Sequence, residues 1–216
     1  MTKTKFSAVI FDMDGVIVDS MPYHFLAWYE ALRPYGIRVG CFDVYSREGE
    51  AWDKTLKDLF SASGIKADDK LLKKVFVQRK KIFKKYFQRF IFPQARELLV
   101  SLKEKGFGLG LATGTPQAEI KKILPSRIRG LFDCVIAGDQ VKKGKPNPEP
   151  YLRAARALNV TPRSCLVVEN APLGIESAKR AGMFCVALDS SLPKEYLKRA
   201  DAVISRLGEL LKIIDN

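Results

Sequence analysis

An apolar, β-branched run from Ala8 to Phe11 ends abruptly in Asp12, Asp14 and Gly15, the pattern of a buried parallel strand that delivers acids to a rim. Alternation along a strand points both acids the same way, and the glycine lets the chain turn at once. Polar and apolar positions then follow a helical period through residues 20–91. Ser20 and Pro22 mark the N-cap and first turn of a helix that Pro34 and Gly36 stop. A second helix over residues 48–62 carries Trp52, Leu56, Leu59 and Phe60 on one side and closes at Gly64. A third, over residues 68–90, sets Leu71, Leu72, Val75, Phe76, Ile82, Phe83, Tyr86, Phe87 and Phe90 on one stripe and ends before Pro93.

From Pro93 onward helix and strand alternate. Helical periods over residues 94–106, 116–124, 149–160 and 173–182 are interleaved with strand-like runs over 107–113, 134–138, 165–170 and 184–188. A last strand and helix fill residues 202–214. This rhythm predicts an α/β fold, a Rossmann-like parallel sheet with helices on both faces, built from residues 1–19 and 92–216. The all-helical residues 20–91 are then an insertion after the first strand.

Composition refines the picture in three places. The 216 residues, 47% hydrophobic and 28% charged, suit an ordinary globular protein with a substantial core. No apolar run approaches the ~20 residues of a membrane span, and residues 1–5 leave no room for a signal peptide, so a cytoplasmic protein is expected. Cys41, Cys134, Cys165 and Cys185 have no metal or redox spacing and read as buried thiols. The net charge of +13 raises the question of nucleic acid. Much of it lies in Lys73, Lys74, Lys80, Lys81, Lys84 and Lys85, between the apolar positions of the third helix. That is a solvated outer face, so a nucleic-acid partner is not expected. A monomer is the default.

The chemistry lies where strands end, because ligands of open α/β sheets bind beyond the carboxyl ends of the strands. Two adjacent acids repel unless a cation sits between them, and Mg²⁺ suits carboxylate oxygens beside a phosphate. A carboxylate can also be a covalent nucleophile toward phosphorus. On their own, two acids in a βα loop are equally compatible with an ordinary polar rim. The strand over 107–113 ends in Thr113 and Gly114, a hydroxyl and free backbone N–H groups at a helix start, which make an anion site. Lys145 lies in the loop 142–148, and Glu169 and Asn170 end the strand over 165–170.

The run DMDGVIVDS resembles the first motif of the haloacid dehalogenase superfamily of phosphoryl-transfer enzymes, and the later strand ends follow that superfamily's order. The resemblance implies Asp12 as nucleophile, Asp14 as general acid/base, and Thr113 with Gly114 as holders of the phosphoryl group. Lys145 then neutralises charge between nucleophile and phosphate, and Asp12, Asp14, Glu169 and Asn170 hold the metal. Asn170 departs from the commoner acid at its position, which leaves one negative charge fewer. The insertion resembles the smaller helical cap type, with hinges near residues 19–22 and 90–93. The segment DSMPYHFLAW is similar to that of beta-phosphoglucomutases, which implies a hinge-proximal role for His24. Ser46-Arg47-Glu48 resembles their cap sequence, which implies that Arg47 binds the anionic end of a substrate.

These features point to a Mg²⁺-dependent hydrolase of small phosphorylated metabolites that works through an aspartyl phosphate. One alternative is a beta-phosphoglucomutase, which must keep water from the same intermediate. Another is a non-catalytic, basic binding module. Five aligned chemical groups, Asp12, Asp14, Thr113, Lys145 and Glu169, are more than a binder requires.

Overall fold

The computed structural model describes residues 6–215, so the expectation about residues 1–5 lies outside it. Six strands form one sheet: β1 (Ala8–Phe11), β2 (Gly108–Ala112), β3 (Cys134–Ile136), β4 (Cys165–Glu169), β5 (Phe184–Leu188) and β6 (Ala202–Ile204). Their order is β3-β2-β1-β4-β5-β6, and every pairing is parallel. The central strand β1 pairs Phe11 with Leu111 on one side and Val168 on the other. The connection order reverses at β1, so a crevice opens at its carboxyl end.

Alternation along β1 divides the core between two layers. Val9 and Phe11 pack with Leu98, Leu99, Leu102 and Leu210 on one face. Ala8 and Ile10 pack with Tyr151, Ala154, Ile175 and Ala178 on the other. The first face is covered by helices that include α5 (Ala95–Glu104), α6 (Gln117–Ile123), α7 (Ser126–Arg129) and α10 (Leu210–Asp215); the second by α8 (Glu149–Ala157) and α9 (Pro172–Arg180). Burial on both faces explains why the strands read as apolar runs instead of alternating ones.

Between β1 and α5 the described chain is helical: α1 (Met21–Leu32), α2 (Cys41–Tyr45), α3 (Trp52–Ala62) and α4 (Asp69–Tyr86). They enclose a third cluster of Trp28, Leu32, Val44, Leu56, Phe60, Leu72 and Val75. Three expectations are corrected here. Helix α3 begins at Trp52, because residues 46–51 form turns that carry Gly49 at φ 85°. Helix α4 stops at Tyr86, with Tyr86 and Phe90 exposed beyond the packed stripe. Cys41 is exposed at the start of α2, a helix too short to be read from periodicity, whereas Cys165 and Cys185 are buried. The seven lysines of α4 face solvent, as its amphipathic pattern predicts. Among the described residues no helix is long and apolar enough to cross a membrane.

The two connectors to the helical block are joined to each other. Asp19 N–H donates to the Phe90 carbonyl at 2.9 Å and Phe92 N–H to the Ile17 carbonyl at 3.0 Å, around an antiparallel bridge between Val18 and Ile91. Arg89 donates through Nε to the Ile123 carbonyl at 2.8 Å and through its other nitrogen to Lys122, capping the last carbonyls of α6. Phe60 fills the centre of the helical block and is 1% exposed. Phe60→Ala is expected to cost about 3–5 kcal/mol, measured as a lower midpoint in chemical denaturation.

Candidate active site

Strand β1 ends at Phe11, so Asp12 and Asp14 meet through the turn after it and not by strand alternation. Asp12 is anchored by its backbone N–H to the Val168 carbonyl at 2.9 Å. Its Oδ1 accepts from the buried Lys145 ammonium, while its Oδ2 is buried without a hydrogen-bond partner. Lys145 also donates to Glu169 Oε1 at 2.7 Å. Tyr151 OH donates to the same oxygen at 2.6 Å, and the backbone N–H groups of Asn170 and Ala171 donate to Oε2 at 2.8 and 3.3 Å. Both oxygens of Glu169 are therefore engaged, and through Oε1 it holds Lys145 in place.

Helix α9 begins directly beneath Glu169 and approaches it through Gly174. A Cβ at that position would lie 1.7 Å from Glu169 Oε1, so only glycine leaves room for the carboxylate.

Asp14 sits in a different environment. Ser20 Oγ and His24 Nε2 reach Oδ1, the latter at 3.3 Å; Thr115 Oγ1 and Thr113 Oγ1 reach Oδ2 at 3.0 and 3.4 Å. Thr115 N–H donates in turn to Thr113 Oγ1 at 3.1 Å. Ser20 does stand at the N-cap of α1, but its hydroxyl makes no capping bond because it is spent on Asp14.

These surroundings push the two acids apart. Burial, with Glu169 and Asp14 nearby, raises Asp12 well above the usual carboxylate range against the opposing pull of Lys145. Burial would raise Asp14 too, but hydrogen bonds from His24, Ser20 and Thr115 and the charge of His24 bring it below its ordinary value. Lys145 loses by desolvation and gains more from Asp12 and Glu169, so its ammonium is strongly held.

Asp12 and Glu169 share one buried ammonium with Asp14 close by, an excess of negative charge that calls for more positive charge. The buried oxygens Asp12 Oδ2 and Asn170 Oδ1 both lack a partner, and buried acceptors are rarely left so. Asn170 Nδ2 donates to Ser191 Oγ at 3.0 Å, which assigns the amide nitrogen away from the free oxygen. Hard oxygens of this kind fit Mg²⁺, which keeps several waters and takes few protein ligands. Accordingly, among the described residues no group of three or more His, Cys, Asp or Glu side chains forms a metal cage.

The helical block closes over these groups. Gly49 lies against Lys145, where an added Cβ would come within 2.9 Å of Lys145 Cδ, and its Cα is 3.7 Å from a Cβ position on Gly114. His24 stacks on Phe83 with ring centroids 4.6 Å apart, and its Nδ1 meets the Arg79 guanidinium. Arg79 lies 5.2 Å from the Trp28 ring and is depressed by burial, with Glu48 and Asp14 opposing. Glu48 is raised by burial, with Asp14 adding to the shift and His24, Arg79 and Lys145 opposing it.

The structure thus brings together Asp12, Asp14, His24, Thr113, Gly114, Lys145, Glu169 and Asn170. It leaves Arg47 out. That guanidinium donates to Glu50 Oε2 and Asp58 Oδ2, both at 3.1 Å, and is held within the helical block. The sequence reading missed Arg79, Thr115, Ser20 and Glu48. Arg79 had a legible signal, a cation falling between Phe76 and Phe83 on the apolar stripe of α4.

The family model for the haloacid dehalogenase-like hydrolases matches residues 6–182. A phosphorylated carbohydrates phosphatase of Thermotoga maritima is 37% identical over 184 residues, 82% of each chain. A beta-phosphoglucomutase of Bacillus subtilis is 30% identical over 94% of this chain and 91% of its own. The crystal structure of a beta-phosphoglucomutase from Clostridium difficile superposes with a TM-score of 0.84 at 27% identity, covering 97% of this chain and 96% of that one. With the parallel sheet, the acids beyond β1 and the helical block above them all in place, this chain belongs to the haloacid dehalogenase-like hydrolases, in their beta-phosphoglucomutase-like branch.

Proposed function

We propose that the chain is a phosphoric monoester hydrolase of small phosphorylated sugars that uses Asp12 as nucleophile and Asp14 as acid/base. The observation that carries this reading is the split between the two acids: Asp12 bound to Lys145 with one oxygen uncommitted, and Asp14 fixed by three hydroxyls and an imidazole. The matching relatives include phosphatases of several phosphate esters.

Asp12 attacks phosphorus and displaces the alkoxide, forming an aspartyl phosphate. The backbone N–H groups beside Gly114 and the ammonium of Lys145 face the phosphoryl oxygens as charge develops. A phosphate dianion beside Asp14 adds negative charge and raises its proton affinity, so Asp14 can carry a proton to the leaving oxygen. It then takes one from the water that attacks the aspartyl phosphate. Asp12 Oδ2, Asn170 Oδ1 and the Asp14 backbone carbonyl would hold Mg²⁺, with Glu169 reaching it only through water. When bound, the ion supplies the positive charge that lets nucleophile and phosphate approach.

Residues 20–91 act as the cap, hinged at the paired connectors, and close to exclude water during the first step. The mutase reading draws on the chain of contacts from Arg79 through His24 to Asp14, which ties the acid/base to cap closure. Against it, Arg47 is paired inside the cap and not open to a second phosphate. The binding-module alternative leaves the separate tuning of Asp12 and Asp14 without a purpose. A cytoplasmic location fits small phosphorylated metabolites as partners.

Purified protein with Mg²⁺ and a panel of sugar phosphates should release inorganic phosphate. Asp12→Asn and chelation should each abolish the signal. Glucose 6-phosphate formed from beta-glucose 1-phosphate and a trace of glucose 1,6-bisphosphate, without matching free phosphate, would assign the mutase instead. Gly174→Ala should displace Glu169 and so misplace Lys145, lowering kcat by about 10²-fold while far-UV circular dichroism stays unchanged.

A further inference from the structure

The turn between α2 and α3 runs Ser46-Arg47-Glu48-Gly49-Glu50, and its charges part in opposite directions. Arg47 is bonded to Glu50 and Asp58, and Glu50 accepts in addition from Thr55 Oγ1 at 2.8 Å and from Lys54. The turn's cation is thus neutralised inside the cap. Its neighbour Gly49 is pressed on the Lys145 side chain and against Gly114, which fixes the loop above the reacting groups. Glu48, between them, is half-buried, and the charges around it are His24, Asp14, Arg79 and Lys145. Arg79 is itself committed to His24 and offset by Glu48, and Lys145 to Asp12 and Glu169. Arg47 is thus withdrawn from the inner side of the loop, and the charge beside Gly49 there is Glu48, set against His24, Arg79 and Lys145.

Building on the phosphatase reading, we propose that Glu48 is the specificity-determining residue of the cap. It selects phosphate monoesters of neutral polyhydroxy compounds and rejects those whose leaving group carries a carboxylate or a second phosphate. A carboxylate accepts hydrogen bonds from sugar hydroxyls. The same carboxylate in a closed pocket repels an anionic leaving group, which is discrimination by a built-in penalty against the wrong partner.

The test compares fructose 1-phosphate with 2-phosphoglycolate and fructose 1,6-bisphosphate in the wild type, Glu48→Gln and Arg47→Ala. Turnover is followed as kcat/KM with Mg²⁺, and binding of the same three esters to Asp12→Asn is followed by calorimetry. The wild type is expected to favour fructose 1-phosphate at least tenfold. Glu48→Gln should lower its kcat/KM about tenfold and narrow its lead over both anionic esters, and Arg47→Ala should leave the ranking as it is. A wild-type preference for 2-phosphoglycolate, a ranking unmoved by Glu48→Gln, or a selective loss of the anionic esters in Arg47→Ala would overturn the proposal. If no ester turns over, yet Asp12→Asn still binds fructose 1-phosphate over 2-phosphoglycolate and adding Glu48→Gln to it removes that preference, the phosphatase reading fails and the role of Glu48 stands. Release of phosphate from p-nitrophenyl phosphate with no preference among the three esters in either readout would do the reverse.

Discussion

A buried ammonium placed between two buried carboxylates governs this molecule. Lys145 is held by Asp12 and Glu169 at the carboxyl edge of the sheet, where desolvation would otherwise make each charge costly. The fold supplies the three partners from three places in the chain: the end of β1, the loop before α8, and the end of β4. Tyr151 on α8 and the N–H groups after β4 complete the shell around Glu169. Glu169 thus orients the cation, and the cation orients the nucleophile. Removing Lys145 would leave both carboxylates buried without their shared cation.

The second acid is controlled from the other side. Ser20 and His24 come from the first helix of the insertion, and Thr113 and Thr115 from the turn after β2. Asp14 is therefore the point at which core and cap share a side chain. Arg79 contacts His24 within the helical block, and core and block also meet at Lys145 through Gly49.

Much of this was legible in the chain. Buried parallel strands declare themselves as short apolar runs, and the polar residue that ends each run is forced to the crevice, which is why Asp12, Thr113 and Glu169 could be named from their positions. Lys145, in a loop with Lys142 and Lys143, was singled out by the resemblance to the superfamily. Residues whose role depends on tertiary direction could not. Arg47 and Glu48 are adjacent in a turn, and nothing local decides which of them looks inward; Asp58, a turn and a half into α3, and Glu50 settle it by capturing Arg47. Ser20 carried a correct helix-start signal, but its hydroxyl had a stronger acceptor in Asp14 than the backbone offered. Arg79 was hidden among lysines of the same charge, although its place between Phe76 and Phe83 sets it on the inner face.

The separation of the hydrophobic clusters has an evolutionary meaning. Every buried member of the helical-block cluster falls within residues 28–75, and none belongs to either cluster beside the sheet; the partly buried Tyr45, Phe83 and Phe87 of the insertion touch those clusters at its edge. Substitutions far apart and without shared partners act almost independently on stability. The interior of the helical block can therefore vary while the machinery around Lys145 keeps its packing, with Gly49 as the fixed point because it touches Lys145 itself. Such a division lets one catalytic body be re-addressed to new metabolites by drift in its lid, a route to diversity that a single shared core would close.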